Sequence, residues 1–268
     1  MRPFYFGDAG RELFGVYHAP LRDPPRRSAV LLCHAICHEY MKTHWAVRRL
    51  ALGLAGLGFP VLKFDYRGCG DSSGESGDWS LDRWREDVVT AAAELRRLAD
   101  TSELTIVGLR VGACVAARAT ADIPDVRELV LWNPVVKGAD FMRDHQRWQE
   151  EGRRWRLSRY VETPEPEQGT ACHGPGFTMN AVFPRAMEAL DLAAEVARIR
   201  AARVLLTLSE PTPEYDRLRE ALNQAGLPAE CRIIPEAGNW DDLHSRWGEW
   251  LTTRMPHAIA NVLAEETE

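Results

Sequence analysis

Short, continuous apolar runs alternate along the chain with longer stretches in which apolar residues recur at every third or fourth position. Ser28–His34 is a continuous apolar run and Pro60–Asp65 the next apolar strand, and Leu104–Val107, Val126–Trp132, Ala202–Leu208 and Cys231–Pro235 read as further strands. Such runs are the signature of strands buried on both faces of a mostly parallel sheet. Between them, Thr43–Gly58, Val111–Thr120 and Glu214–Ala225 read as helices. So does the stretch after Ser80, an N-cap residue followed by Leu81, Trp84, Val88, Ala92, Leu95 and Leu98 at helical spacing. Ahead of these, residues 3–6 and 12–18 flank the turn Gly7-Asp8-Ala9-Gly10 as an opening hairpin, and the proline-rich Leu21–Arg27 is a surface connection. The alternation predicts an α/β protein: about eight strands in a mostly parallel sheet, helices on both faces, right-handed crossovers.

One segment breaks the rhythm. From Lys137 to Asp191 no strand is expected; Phe141, His145, Trp148 and Trp155 recur near helical spacing, then comes the loop Thr163-Pro164-Glu165-Pro166-Glu167-Gln168-Gly169. An insertion here, within a single domain spanning 1–268, is placed to form a helical lid over the sheet's C-terminal edge, where open α/β folds bind ligands. The aromatic stripe serves equally to pack the insertion down. Near the C-terminus Trp240, Leu243, Trp247 and Trp250 recur along a final helix, mostly as core, with Trp240 the one candidate for touching a ligand.

Composition narrows the class. With 45% hydrophobic and 27% charged residues the chain has material for a full core, and a formal charge of −6 gives no basic face for nucleic acid. Local basic runs such as Arg153-Arg154-Trp155-Arg156 stand beside Glu150-Glu151, as on a mixed solvated face. The start, Met1-Arg2-Pro3-Phe4-Tyr5, has no apolar leader and no run approaches membrane-spanning length, so no membrane association is expected. Six cysteines in 268 residues suit reduced thiols in the cytoplasm.

The chemistry concentrates at Gly108-Leu109-Arg110-Val111-Gly112, where an apolar strand turns into an alanine-rich helix. This is the setting of a G-x-S-x-G nucleophile elbow with Arg110 in the nucleophile's place. Two further motifs accompany it: Val30-Leu31-Leu32-Cys33-His34-Ala35, and Asp65-Tyr66-Arg67-Gly68-Cys69-Gly70-Asp71-Ser72-Ser73-Gly74, close to D-x-R-G-x-G-x-S-x-G. Together, in order and spacing, they resemble the α/β-hydrolase fold in its serine aminopeptidase-like branch, across nearly the whole chain. More narrowly, GLRVGA with the later GPGFTMNAVFPRAMEALDL and GNW is similar to hydrolase-like proteins associated with exosortase systems, which carry GLRLGA at the elbow.

The resemblance implies a serine at the elbow, a histidine after the last strand and an acid after the penultimate one. This chain departs at each place. Arg110 holds the elbow, Asn239 the histidine's position, and Ser209-Glu210 follow the penultimate strand, with Glu210 the nearest acid. His244, five residues past Asn239, is a displaced candidate for the base. An arginine stays protonated and offers five donors and no lone pair, so it cannot attack an acyl carbon. It can hold an anion, because the elbow lies at a helix N-terminus and the resemblance puts the oxyanion donors there, the N–H of Val111 and one from the Ala35-Ile36 loop. That anion is either a ligand or an internal carboxylate, Glu39 or Glu210.

The neighbouring HAICHEY loop brings Cys37, His38 and Glu39 to the same border as candidates for moving protons or, for Cys37, attacking. The plainer readings are a small buried thiol and a solvated loop. Cys33, His34, Cys37 and His38 do not fall at zinc-site spacings, so neither metal nor cofactor is expected; Cys172-His173 repeats the cysteine–histidine pair in the insertion. His34 is expected in a structural position below the loop, and Asp65 is expected to bond backbone and Arg67 to fix its turn. The leading reading is an atypical enzyme acting on a small carboxylate- or acyl-bearing substrate by non-serine chemistry. One alternative is a non-catalytic pseudo-hydrolase that binds an anionic ligand or a protein partner; another is a hydrolase or thioesterase with Cys37 as relocated nucleophile. The expected partner is a small anionic or acyl molecule, and a homodimer is compatible with the sequence.

Overall fold

The computed structural model describes residues 1–156, 170–174, 177–180, 182–227, 229–236 and 254–265, with the backbone alone at 148–149, 151–156, 170–174 and 177–178. The hairpin β1 (Arg2–Phe6) and β2 (Leu13–His18) pairs antiparallel with Arg2 opposite Tyr17. The next strands in sequence are β3 (Ala29–Cys33), β4 (Val61–Phe64), β5 (Leu104–Leu109) and β6 (Val126–Trp132). A small antiparallel hairpin follows, β7 (Thr170–Gly174) with β8 (Phe177–Asn180), and then β9 (Arg203–Leu208) and β10 (Ala229–Ile233). The main sheet has eight strands in the order β1-β2-β4-β3-β5-β6-β9-β10, and every pairing from β4 to β10 is parallel. This is the mostly parallel eight-stranded sheet that the strand–helix alternation predicts and the arrangement that the α/β-hydrolase resemblance implies.

The central strands β3 and β5 lack alternation because both of their faces are buried, whereas the edge strand β10 is only partly covered. In β3, Leu31 joins Ile106, Leu129 and Leu206 against α2 (Leu81–Ala99) and α3 (Val111–Ala119). Its neighbours Val30 and Leu32 join Val107, Val130 and Leu205 on the other face. There they meet Val47, Leu50 and Leu54 of α1 (Cys37–Gly56) and, from the last described helix, Ile259 and Leu263. Each such side chain contributes about 1.5–3 kcal/mol on burial.

Three elements differ from expectation. Helix α1 begins at Cys37, not near Thr43: Ile36 is extended at φ −116°, Cys37 takes φ 55°, and the helix runs on from it. His38 and Glu39 are buried in the first helical turn and not in a solvated loop, and Cys37 is buried as its plainer reading has it. The segment from Lys137 to Asp191 holds the hairpin β7–β8 besides α4 (Gly138–Arg156) and α5 (Val182–Glu188). Its ends meet: Lys137 bridges Asp191, Gly138 N–H donates to Leu190 O at 2.9 Å, and Leu192 N–H to Val136 O at 2.9 Å. Ser80 stands at the N-cap of α2 without a side-chain cap bond. Next in the chain are the short α6 (Leu192–Glu195), α7 (Pro213–Gln224), led by Thr212 accepting from Tyr215 N–H, and α8 (Arg254–Glu265). The stripe Trp240, Leu243, Trp247 and Trp250 lies outside the described residues. Among the described residues no helix is long and apolar enough to cross a membrane.

Candidate functional site

Arg110 is the single residue between β5 and α3, held at φ 56°, ψ −120°. A side chain in that region costs on the order of 1–3 kcal/mol, so the surroundings must enforce it. Two glycines make the turn sterically feasible. A Cβ on Gly108 would strike the Ala113 backbone, and one on Gly112 would strike the carbonyls of Cys33 and His34. The missing side chain at Gly112 thus sets the N-terminus of α3 directly against the β3–α1 turn that carries Ala35 and Ile36. Val111, Ala35 and Ile36 are all buried there.

The guanidinium points at a carboxylate. Arg110 Nε donates to Glu39 Oε1 at 2.9 Å, and Nη1 to the Asn133 carbonyl at 3.3 Å. Glu39 is 3% exposed and Arg110 14%, so the pair sits at the floor of the site with one edge toward solvent. Glu39 also lies in the first turn of α1, where the helix favours negative charge. Of the two carboxylates weighed from sequence, Glu39 takes the arginine; Glu210 is exposed just beyond β9. A third group arrives from α7: the Tyr215 phenol, which feels the charges of Arg110, Glu39 and Glu210. Burial raises the pKa of Tyr215 despite the arginine, so the phenol keeps its proton.

Asn133, at φ 41° after β6, is the brace behind this pair. Its Nδ2 donates to Ser209 Oγ at 2.7 Å and its Oδ1 accepts Ser209 N–H at 2.8 Å, stapling the ends of β6 and β9. Its carbonyl is then fixed as an acceptor for Arg110.

His38 is buried with its ring stacked on His145 of α4, centroids 5.7 Å apart and planes 19° apart. His145 stacks in turn on Phe141 at 6.1 Å. Burial, with His145, Lys42 and Arg110 nearby, lowers the His38 pKa to about 3. Burial alone lowers His145 to about 4. Both are neutral imidazoles near pH 7, able to accept a proton only against this penalty. Cys37 is buried at φ 55°, and desolvation, with Cys69 and Glu39 adding to it, pushes its thiol well above the ordinary range.

His34 and Asp65 form a separate buried cluster beneath. His34 Nδ1 lies 2.6 Å from Ala35 O, and Nε2 3.6 Å from Asp65 Oδ1. Asp65 accepts from Tyr40 Oη at 3.0 Å and from Asp71 N–H at 3.3 Å. The expected bond from Arg67 to Asp65 does not form. Arg67 turns outward to Asp87, donating through Nε at 2.7 Å and its backbone N–H at 2.9 Å, because Asp87 of α2 is buried and needs a cation.

Among the described residues no group of three or more His, Cys, Asp or Glu is placed to hold a metal ion. Asn239, Trp240 and His244 lie outside the described residues, and the side chains of Cys172 and His173 are not described. Asn133, Tyr215 and Ser209 are members of the site that the sequence did not single out. Asn133 carried a usable signal, an Asn-Pro pair at the end of a buried strand, since asparagine tolerates positive φ. Tyr215 carried none, because its helix reads as ordinary surface.

The family model described as serine aminopeptidase, S33, matches residues 24–212. The chain belongs to this family. No curated protein matches it. Among solved structures, it is similar to the ferulic acid-bound Est1E from Butyrivibrio proteoclasticus, with TM-score 0.66 and 16% identity over 98% of this chain and 96% of that one. DcsB in complex with its substrate analogue matches with TM-score 0.64 and 14% identity over 99% and 98% of the two chains. The esterase Pf2001 from Pyrococcus furiosus matches with TM-score 0.61 and 14% identity over 87% and 82%. At such identities these likenesses establish the shared fold of a serine aminopeptidase-family chain and leave its chemistry to its own residues.

Proposed function

We propose that this serine aminopeptidase-family protein has an elbow with no attacking oxygen, and acts on a small carboxylate- or acyl-bearing molecule by chemistry other than serine acyl transfer. The observation that carries the reading is Arg110 at φ 56° between β5 and α3, the position that the resemblance gives to the nucleophile. A guanidinium there, beside the first N–H groups of α3, favours negative charge on the ligand. Glu39 beside it, and His38 next to Glu39, are the groups able to take or give a proton, and Glu210 is the exposed acid just beyond β9; Asn239, Trp240 and His244 enter the proposal as sequence candidates alone. The 137–191 insertion serves as the lid, and the protein works in the cytoplasm. The narrower likeness to exosortase-associated proteins is part of this proposal, carried by GLRVGA at the elbow.

A second reading has a specific observation in its favour. The Arg110–Glu39 pair neutralises the seat internally, which is what a pseudo-hydrolase with a closed elbow requires. The relocated-nucleophile reading is the weakest, since burial raises the Cys37 thiol pKa whereas an attacking cysteine needs it lowered.

Arg110→Ser is the direct test. It is expected to leave p-nitrophenyl acetate and butyrate hydrolysis at background, because serine alone restores neither base nor acid. Robust ester turnover by that variant would overturn the proposal. Thermal shift with small carboxylates separates the two remaining readings: a ligand at a hundred times its Kd adds about 2.7 kcal/mol of stability, and no shift with any of them favours the closed elbow.

A further inference from the structure

We propose that the outward face of α1, together with the chain packed beside its C-terminal end, docks on an anionic lipid surface. The inference does not depend on the elbow reading, because it uses the side of α1 turned away from the sheet. Ala46, Val47, Leu50, Ala51 and Leu54 of that helix are buried in the core. Trp45, Arg48, Arg49 and Leu52 are all exposed, and their i, i+3, i+4, i+7 spacing puts them on one face opposite the buried one. The segment before β3 extends this face. Leu21 N–H donates to Ala55 O at 2.8 Å and Arg22 Nε to Gly56 O at 3.1 Å, and both side chains are exposed.

Two properties of the face point to its occupant. It is apolar in the middle: Trp45, at 52% exposure, shares it with Leu52 and Leu21, large side chains left in water. It is also cationic without internal compensation. Among the described residues, Arg22, Arg48 and Arg49 meet no carboxylate; Arg48 stands instead over the Trp45 ring, 5.4 Å from its centroid. Asp23, the acid next to Arg22 in the chain, makes no bond to it. Elsewhere Arg67, Arg118 and Arg217 each hold a carboxylate.

A bilayer with anionic headgroups answers both properties. Its phosphates complement the three guanidinium groups, and its interface takes Trp and Leu side chains to headgroup depth. The formal charge of −6 on the chain repels such a surface as a whole. Screening over about 8 Å at physiological ionic strength leaves the nearest charges to decide, and here these are arginines. A second copy of the chain on the same face would set arginine against arginine, which disfavours self-association there. The proposal departs from the expectation of no membrane association, which rested on leaders and spanning runs; a surface contact requires neither.

The test is co-sedimentation of the full chain with vesicles of phosphatidylcholine alone or mixed with phosphatidylglycerol. Wild type is expected to bind the mixed vesicles and not the neutral ones. Each arginine is expected to carry about fivefold in affinity, so Arg48→Gln with Arg49→Gln should weaken binding at least 10-fold. Trp45→Ala should weaken it several-fold, and both variants should melt within a few degrees of wild type. Arg97→Gln with Arg219→Gln removes the same formal charge from exposed positions on α2 and α7 and should bind as wild type does. Failure of wild type to bind, or equal binding to both vesicle types, overturns the proposal. So does binding that survives the Arg48 and Arg49 changes, or that falls equally in the α2 and α7 control. Binding of polyglutamate but not of vesicles overturns it in favour of an acidic protein partner.

Discussion

At the scale of single residues, the decisive fact is that Arg110 finds its counter-charge inside the protein. Removing one partner of a buried ion pair leaves an uncompensated charge, and the penalty is on the order of 3–5 kcal/mol. Glu39→Gln is therefore expected to lower stability by about 3 kcal/mol in urea unfolding at pH 7, toward the low end because Arg110 keeps 14% exposure. Arg110→Met in the same chain removes the stranded cation, so the double variant is expected to be no less stable than Glu39→Gln alone. A double variant that loses the sum of both single effects would show that the two residues are not coupled. Cys37 gives the opposite kind of prediction. With its thiol pKa raised and its side chain 3% exposed, it is expected to resist iodoacetamide at pH 8 in the folded protein and to react in urea. Peptide mass spectrometry that resolves Cys37 from the less buried Cys69 reads the difference.

At the scale of elements, the site is made by one strand–turn–helix unit packed against a second turn. Gly112→Ala is expected to cost about 3 kcal/mol or more, because its Cβ meets two backbone carbonyls that cannot swing aside. Gly53→Ala is the matched contrast: it lies inside α1, its Cβ would sit 3.9 Å from Ala260 Cβ, and helix propensity favours it by about 0.5–1 kcal/mol. Chemical denaturation of the two variants is expected to move in opposite directions. The same unit shows what the sequence makes legible. The alternation of β3, β4, β5 and β6 with α1, α2 and α3 is readable because each strand is buried along most of both faces, which leaves a largely apolar run interrupted only at Lys63, Thr105, Arg127 and Glu128. The start of α1 is not readable, because Cys37, His38 and Glu39 are polar and reactive types that suit a loop. Their burial in that turn is matched by the Arg110 charge beside Glu39 and the His145 ring beside His38, which are tertiary contacts. The hairpin β7–β8 escapes for a related reason: Thr170–Gly174 and Phe177–Asn180 are short and not uniformly apolar. In the site itself, Arg110 and Glu39 are nameable from the elbow motif and its border, whereas Tyr215 enters from a distant helix whose sequence gives no hint of it.

At the scale of the whole molecule, buried histidines make stability depend on mild acid. His18, His34, His38 and His145 all have pKa values lowered by burial, His38 to about 3 and His145 to about 4. In the unfolded chain each returns toward 6.5, so above that pH both states are neutral and these groups contribute no pH dependence. As pH falls below 6.5 the unfolded chain binds protons that the folded one refuses, and stability is lost progressively until the folded pKa is reached. His38 and His145 each cost about 1 kcal/mol between pH 7 and 5.5 on this basis, and His18 and His34 act in the same direction. Asp87 and Glu128 work in the other direction: burial raises their carboxyl pKa values, so the folded state takes up protons first as pH falls. The histidine contribution is isolated by comparing variants. His145→Gln keeps a polar side chain against His38 and removes one titrating group, as well as the like charge that opposes protonation of His38. Urea midpoints measured from pH 7.5 to 5 are expected to fall less steeply in this variant than in wild type, by close to one proton's worth of slope. An unchanged slope would mean that His145 takes up its proton in the folded state, which the stack between α1 and α4 does not allow while it stays closed.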